Sequence, residues 1–144
     1  MTRELHPVLT PARRAELVRE GTELFHAGRY FEAHEAWEEI WRSTTPEPRE
    51  LFQGLVQLAA AFHHLNERKR PDVARRVLAK ARRRLVGLRR ADADVEPAGA
   101  STASARDPAP LDLPALLVQI ERWEDWLADD AGEPPPPVWL DWRS

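Results

Sequence analysis

The segment from residue 46 to residue 65 is the feature that most limits how this chain can fold. At helical spacing its apolar side chains cover most of the helix circumference; they are Leu51, Phe52, Leu55, Val56, Leu58, Ala59, Ala60, Ala61 and Phe62. A helix that is apolar nearly all round is stable in water only when other elements surround it. We therefore predict that this third helix is the buried centre of a helical bundle.

Further segments of the chain have the periodicity of amphipathic helices, and none alternates as a strand would. Thr10–Pro11 predicts the start of the first helix, with a capping side chain and a first-turn proline. The second helix covers about residues 29–42, the fourth begins at Pro71, and the fifth is capped by Asp112. The sequence thus predicts an all-α, compact single-domain bundle of about five main helices over residues 1–144.

Three connecting segments lack this periodicity. Residues 43–48 predict a short turn, which would make helices two and three antiparallel neighbours. Residues 91–110 are rich in Ala, Pro, Ser, Asp and Gly and predict a flexible loop. The Pro-rich tail, residues 131–144, must be extended at its four consecutive prolines. Its Trp139 and Trp142 make it apolar enough to dock on the body, on a second subunit or on a protein partner.

Composition excludes several classes of protein. The 144 residues contain no cysteine, so disulfides, thiolate metal sites and cysteine nucleophiles are excluded. No stretch has the 18 or more apolar residues that span a bilayer, and residues 1–20 are charged throughout, unlike a signal peptide. We expect a cytoplasmic protein without membrane partners. The net charge of −3 does not favour a polyanionic partner.

A stripe of polar residues interrupts the apolar third helix. Gln53, Gln57 and His64 lie within about 40° of one another on a helical wheel. Burying such groups without partners would cost ~1–3 kcal/mol each, so polar side chains of helix two should face them. The predicted cluster between the two helices consists of His34, Glu35, Glu38, Gln53, Gln57 and His64.

The predicted cluster is compatible with different roles. We favour a structural hydrogen-bond network that fixes helix register in a binding or scaffold protein. Alternatively, His34 and Glu38, one helical turn apart, could share a metal ion with His64 as third ligand. A histidine beside carboxylates could also move protons in a small hydrolase-like enzyme that uses His34, Glu35, Glu38 and His64. Helix two has one histidine rather than the two of a His-Glu-x-x-His motif, so the sequence assigns no reaction and no cofactor.

Two sequence motifs resemble a known family. The first runs from Gly28 to Trp41 (GRYFEAHEAWEEIW), and the second runs from Leu51 to Ala61 (LFQGLVQLAAA) and is followed by His64. Together they resemble the prokaryotic family catalogued as domain of unknown function 309, over about residues 20–90. The resemblance implies a compact all-helical fold with a central helix, and it implies no activity. The characteristic polar positions of that family fall on Glu32, His34, Glu35, Trp37, Glu38, Gln53 and Gln57.

The segment 68–90 is strongly basic, with eleven Lys or Arg residues and one acid, Asp72. A basic helix at 72–90 could contact the phosphates of RNA or DNA. The competing interpretation is a solvated helix face that pairs with the acids of the chain itself. No aromatic side chains are interleaved for base stacking, and the net charge is negative, so the sequence argues against a nucleic-acid partner.

Overall fold

A computed structural model describes residues 10–42, 49–94, 111–129 and 132–142 of the chain. Its five helices are α1 (Pro11–His26), α2 (Tyr30–Trp41), α3 (Arg49–Asn66), α4 (Pro71–Asp94) and α5 (Leu113–Asp129). In these ranges the extended pairing is a single antiparallel bridge between Leu111 and Trp142. The predicted all-α fold is confirmed. None of the helices in the described ranges is long and apolar enough to cross a membrane.

The helix ends follow the local sequence. Thr10 Oγ1 accepts a hydrogen bond from the Arg13 backbone N–H at 3.0 Å, which caps α1 as predicted. Asp112 Oδ1 accepts from the Ala115 N–H at 3.1 Å and caps α5 in the same way. The chain leaves α1 through Gly28 with a φ of 82°, a left-handed conformation that glycine adopts without strain.

The third helix lies at the centre of the fold. α3 packs along both α2 and α4, its two neighbours in sequence. Near its end, the Phe62 ring lies 6.3 Å from the Phe25 ring of α1 and 5.1 Å from the Trp123 ring of α5. The buried residues of α3 are Leu51, Phe52, Gly54, Leu55, Leu58, Ala59, Ala61 and Phe62. The prediction of a central, buried third helix is therefore confirmed.

Two glycines allow neighbouring helices to approach closely. A Cβ atom at Gly21 of α1 would lie 2.2 Å from Nε1 of Trp37, whose side chain is fully buried on α2. A Cβ atom at Gly54 of α3 would lie 2.7 Å from Cδ2 of Leu85 on α4. The bare backbone at these two positions lets the large side chain of the next helix pack directly against it.

The predicted start of the loop, at residue 91, is wrong, because the helix before it is longer than predicted. α4 continues through residues 91–94, where two alanines, which are strong helix formers, extend the helix. The remainder of that loop, residues 95–110, lies outside the described residues, and so does the predicted turn at 43–48.

Residues 132–142 run in extended conformation along α5 and reach α1. The Gln119 side chain of α5 bonds both backbone groups of Trp139: its Nε2 donates to the carbonyl oxygen at 2.9 Å, and its Oε1 accepts from the N–H at 2.8 Å. At α1, the Leu140 N–H donates to His26 Nε2 at 3.0 Å, and Trp142 Nε1 donates to Thr22 Oγ1 at 2.8 Å. Backbone and side-chain bonds thus attach this segment to two helices.

We predict that mild acid weakens this attachment. His26 Nε2 accepts the Leu140 N–H only when the imidazole is neutral, and burial lowers the pKa of His26 below its usual 6.5. The unfolded chain therefore takes up the proton first as pH falls. The free energy of unfolding should be constant above about pH 7.5 and should decline as the pH falls through about 6.5 towards the lower folded pKa. Denaturant unfolding measured across this pH interval tests whether the free energy of unfolding falls as the pH falls.

The matched variant for this prediction is His26→Gln, which keeps a side-chain acceptor but does not titrate. It should lose less stability than the parent over the same pH interval. Some decline should persist, because burial also lowers the pKa of His64. An equal decline in both proteins would contradict the role of His26.

Candidate functional site

A partly exposed row of rings lies on the surface where α2 meets α3. The Phe31 ring is stacked on the His34 ring, with centroids 5.8 Å apart and an interplanar angle of 14°. The centroid of the Phe31 ring also lies 5.2 Å from that of the His63 ring on α3. The His63 and His64 rings have centroids 6.0 Å apart. We call Phe31, His34, His63 and His64 the ring patch. Phe31 is 49% exposed, although it is one of the large apolar side chains of the chain.

The imidazoles of the ring patch are more buried than the phenyl ring, and two of them have nitrogen atoms without a hydrogen-bond partner among the described residues. Nδ1 of His34 and Nδ1 of His63 are buried, and neither has a hydrogen-bond partner among the described residues. Burial is the largest cause that lowers the pKa of His64, and the charges of His63, Arg68 and Arg70 lower it further. His64 is therefore neutral at pH 7, beside two cations that follow α3.

The carboxylates of α2 do not pair with His34. Glu38 accepts from Arg42 Nη2 at 3.3 Å, one turn further along the same helix. Glu35 is exposed, and no described side chain forms an ion pair with it. The helix-two half of the predicted cluster is therefore an imidazole against a phenyl ring, with Glu38 paired to Arg42 and Glu35 exposed.

The amides of α3 belong to a different surface, between α3 and α4. Gln57 Oε1 accepts from Arg84 Nε at 3.4 Å, and Arg84 Nη1 forms a 2.7 Å ion pair with Glu50. Gln53 is half-buried and has no side-chain hydrogen bond to a described residue. The polar stripe of α3 is thus satisfied in part by α4, which the sequence did not indicate as its neighbour.

The six predicted residues therefore do not form one hydrogen-bonded cluster. The structure gives no hydrogen bond or ion pair that joins His34, Glu35 or Glu38 to Gln53, Gln57 or His64. The predicted cluster did not include Phe31 or His63 of the ring patch, and it did not include Arg84 or Glu50. The spacing of Phe31 and His34, three residues apart on one helix, was a usable signal for the ring patch.

Metal ligation was the sharpest alternative for the predicted cluster. In the described ranges, no group of three or more His, Asp or Glu side chains is arranged to hold a metal ion. His34, Glu38 and His64 are accordingly not assembled into a ligand set. What the arrangement offers instead is a partly exposed aromatic surface with imidazole edges.

The basic face of α4 is only partly neutralised by acids. Arg82 pairs with Glu124 of α5 at 2.7 Å, and Arg76 lies 4.0 Å from Asp72. Other side chains of this face, Arg75, Lys80 and Arg83, have no ion-pair partner among the described residues. The predicted pairing of this face with the chain's own acids therefore holds for some arginines and fails for others.

Comparison with known proteins places the ring patch inside a recognised segment. The family model described as Domain of unknown function (DUF309) matches residues 18–77, which confirms the predicted resemblance over that segment. The chain is similar to the uncharacterized protein YpuF of Bacillus subtilis (strain 168), with 40% identity over 73 residues. The matched part is 49% of this chain and 41% of YpuF, so the chain spans less than half the length of that relative. No solved structure matches the chain.

Proposed function

We propose that this chain, whose residues 18–77 match the DUF309 family, is a protein-binding module. In this proposal the ring patch receives an apolar side chain of a partner protein, and a carboxylate of the same partner lies beside His63 and His64. The chain would then act through recognition and not through a reaction of its own.

The exposure of Phe31 carries the proposal. A phenyl ring that is 49% exposed leaves apolar area in water, and the described core does not need it for packing. The imidazoles of His34 and His63 lie beside the phenyl ring and add half-buried ring area to the ring patch. Aromatic side chains of this kind dominate the binding energy of protein interfaces, because a partner removes their whole apolar area from water.

The charges around the ring patch indicate the chemistry of the partner. Burial is the main cause that lowers the pKa of His64, and the nearby charges of Arg68 and Arg70 add to it. Both arginines are exposed without an ion-pair partner in the described ranges. On the α2 side, Glu35 is the exposed carboxylate, one turn after Phe31. A partner segment with an acid on one side of its apolar anchor and a base on the other would complement both ends.

The rest of the predicted cluster supports a scaffold for this surface. Glu38 is held by Arg42, and Gln57 is held by Arg84, which is itself paired with Glu50. Below Phe31, Ala33 and Trp37 of α2 are fully buried, so the helix that carries the phenyl ring is fixed in the core. A surface that does not rearrange loses less conformational entropy when a partner binds.

Selection from a peptide display library on the immobilised protein tests the proposal. We expect enriched sequences with an aromatic or large aliphatic anchor and a nearby acid. Phe31→Ala should weaken binding of the selected peptides by at least about tenfold, which corresponds to ~1.4 kcal/mol. The measurement is the dissociation constant of individual synthetic peptides by fluorescence anisotropy.

The control is Val118→Ala on α5, where Val118 is 51% exposed and distant in sequence from the ring patch. This variant should bind the same peptides within about twofold of the parent, since removal of a non-contacting side chain leaves the interface unchanged. Peptides that bind Phe31→Ala as tightly as the parent, or a selection without enrichment, would overturn the proposal.

A further inference from the structure

The surface between α3 and α4 carries a cleft that is separate from the ring patch. Its volume is about 340 Å³, and its lining residues are Gln57, Lys80, Arg83 and Arg84. Three of the four lining side chains are cations and the fourth is an amide, so no carboxylate lines the cleft. We call these four residues the cationic cleft.

The hydrogen bonds within the cationic cleft leave donors, not acceptors, to face a ligand. Gln57 Oε1 is used by Arg84 Nε at 3.4 Å, which leaves the amide NH₂ group as the available part of Gln57. Arg84 Nη1 is used by Glu50 at 2.7 Å, which fixes the guanidinium and leaves its other terminal nitrogen. Lys80 and Arg83 have no ion-pair partner in the described ranges, so all their donors are available.

The balance of charge at the cationic cleft is uneven. Elsewhere on α4, Arg82 is matched by Glu124 and Arg76 lies near Asp72, whereas Arg75 has no ion-pair partner among the described residues. Here Arg84 pairs with Glu50, while Lys80 and Arg83 have no ion-pair partner in the described ranges, so two positive charges are left without a counter-charge among those residues. Like charges held together on one face repel one another, and a bound anion relieves that repulsion.

We propose that the cationic cleft binds the phosphate group of a small phosphorylated ligand. The Arg83 guanidinium offers paired donors that match phosphate oxygens. Arg84 adds its remaining terminal nitrogen, and the lysine adds a compact charge. A phosphate dianion would neutralise the two unmatched charges. The volume of the cleft is that of a small-molecule site. Two neighbouring cations of α4, Arg76 and Arg82, are engaged with acids and are less available to a long polyanion.

Calorimetric titration of the whole protein with inorganic pyrophosphate, at constant ionic strength, tests this proposal. We expect saturable binding of one equivalent. The double variant Lys80→Gln/Arg83→Gln should weaken it by roughly tenfold or more, because hydrogen bonds to charged groups contribute that much. Both side chains are exposed, so melting temperatures near that of the parent should show that the variant is folded.

The matched control is Arg75→Gln/Arg76→Gln, which removes the same charge from exposed positions of the same helix outside the cleft. It should bind pyrophosphate within about threefold of the parent, since screened long-range charge contributes little. Equal weakening in both double variants, or no saturable heat with the parent, would overturn the proposal.

A second arm uses a 12-nucleotide single-stranded RNA as the probe. We expect it to bind more weakly than pyrophosphate at physiological salt. If the RNA binds more tightly, and if the Lys80/Arg83 and Arg75/Arg76 double variants weaken its binding equally, the face is a basic strip for nucleic acid. That result would contradict the small-ligand proposal.

Discussion

Gly21→Ala is expected to destabilise the protein by about 3 kcal/mol or more, although the change adds one methyl group to a helix. The new Cβ would lie 2.2 Å from Nε1, 2.6 Å from Cδ1 and 2.7 Å from Cε2 of the Trp37 indole. The indole is fully buried, and the Phe25 ring packs against it at 5.6 Å, so it cannot turn away without disturbing the core. Either α1 must move from α2 or the indole must leave its rotamer.

The control for this prediction is Gly87→Ala in α4. Gly87 is exposed and lies in a helix, and a Cβ there would meet no atom within 4 Å. Alanine should therefore stabilise the protein by about 0.5–1 kcal/mol through helix propensity. Denaturant unfolding of both variants measures the free energy of unfolding, which should fall for Gly21→Ala and rise for Gly87→Ala. A Gly21→Ala protein as stable as the parent would show that α1 and α2 are not in contact at this point.

Leu140→Ala is expected to cost about 2–5 kcal/mol, the range for a leucine in a helical core, although Leu140 lies in a segment without helix or strand. Its side chain is only 2% exposed, and it belongs to the same buried cluster as Leu17 and Ile120. Truncation to alanine removes this burial but keeps the N–H that donates to His26. The loss should therefore report packing and not hydrogen bonding.

Trp139→Ala, at the preceding position, provides the comparison. The Trp139 ring is 61% exposed and lies on the His26 ring with centroids 3.5 Å apart. Its removal should cost only about 1 kcal/mol, the contribution of one exposed ring contact. If Leu140→Ala melts within a degree or two of Trp139→Ala, the extended segment does not belong to the core.

The two proposed sites both use side chains of α3, but not the same ones. α3 contributes His63 and His64, near its end, to the ring patch, and Gln57, about two turns earlier, to the cationic cleft. The half-buried side chains of α3, including Gln57 and His64, share one stripe of the helix, and the two sites use different parts of it. A substitution at Phe31 should therefore leave pyrophosphate binding unchanged, and one at Arg83 should leave peptide binding unchanged.

Local sequence determined the helices and the identity of the central one. Capping at Thr10 and Asp112 depends on hydrogen bonds between residues three apart, so the residue types in one short segment are enough to predict it. The position of α3 follows from its apolar circumference, since such a helix has no face to leave in water. The family resemblance also rests on local motifs within the matched segment 18–77.

Only the tertiary structure decided which side chains meet. A helical wheel gives the angles between Gln57, His63 and His64, but it does not give the rotation of α3 against its neighbours. That rotation is set by packing: the Gly54 backbone lies against Leu85, and Phe62 lies among rings of other helices. It turns Gln57 towards Arg84 of α4, 27 residues away, and leaves His63 beside Phe31. Such contacts depend on the shapes of all the helices at once, so the sequence of any single helix does not contain them.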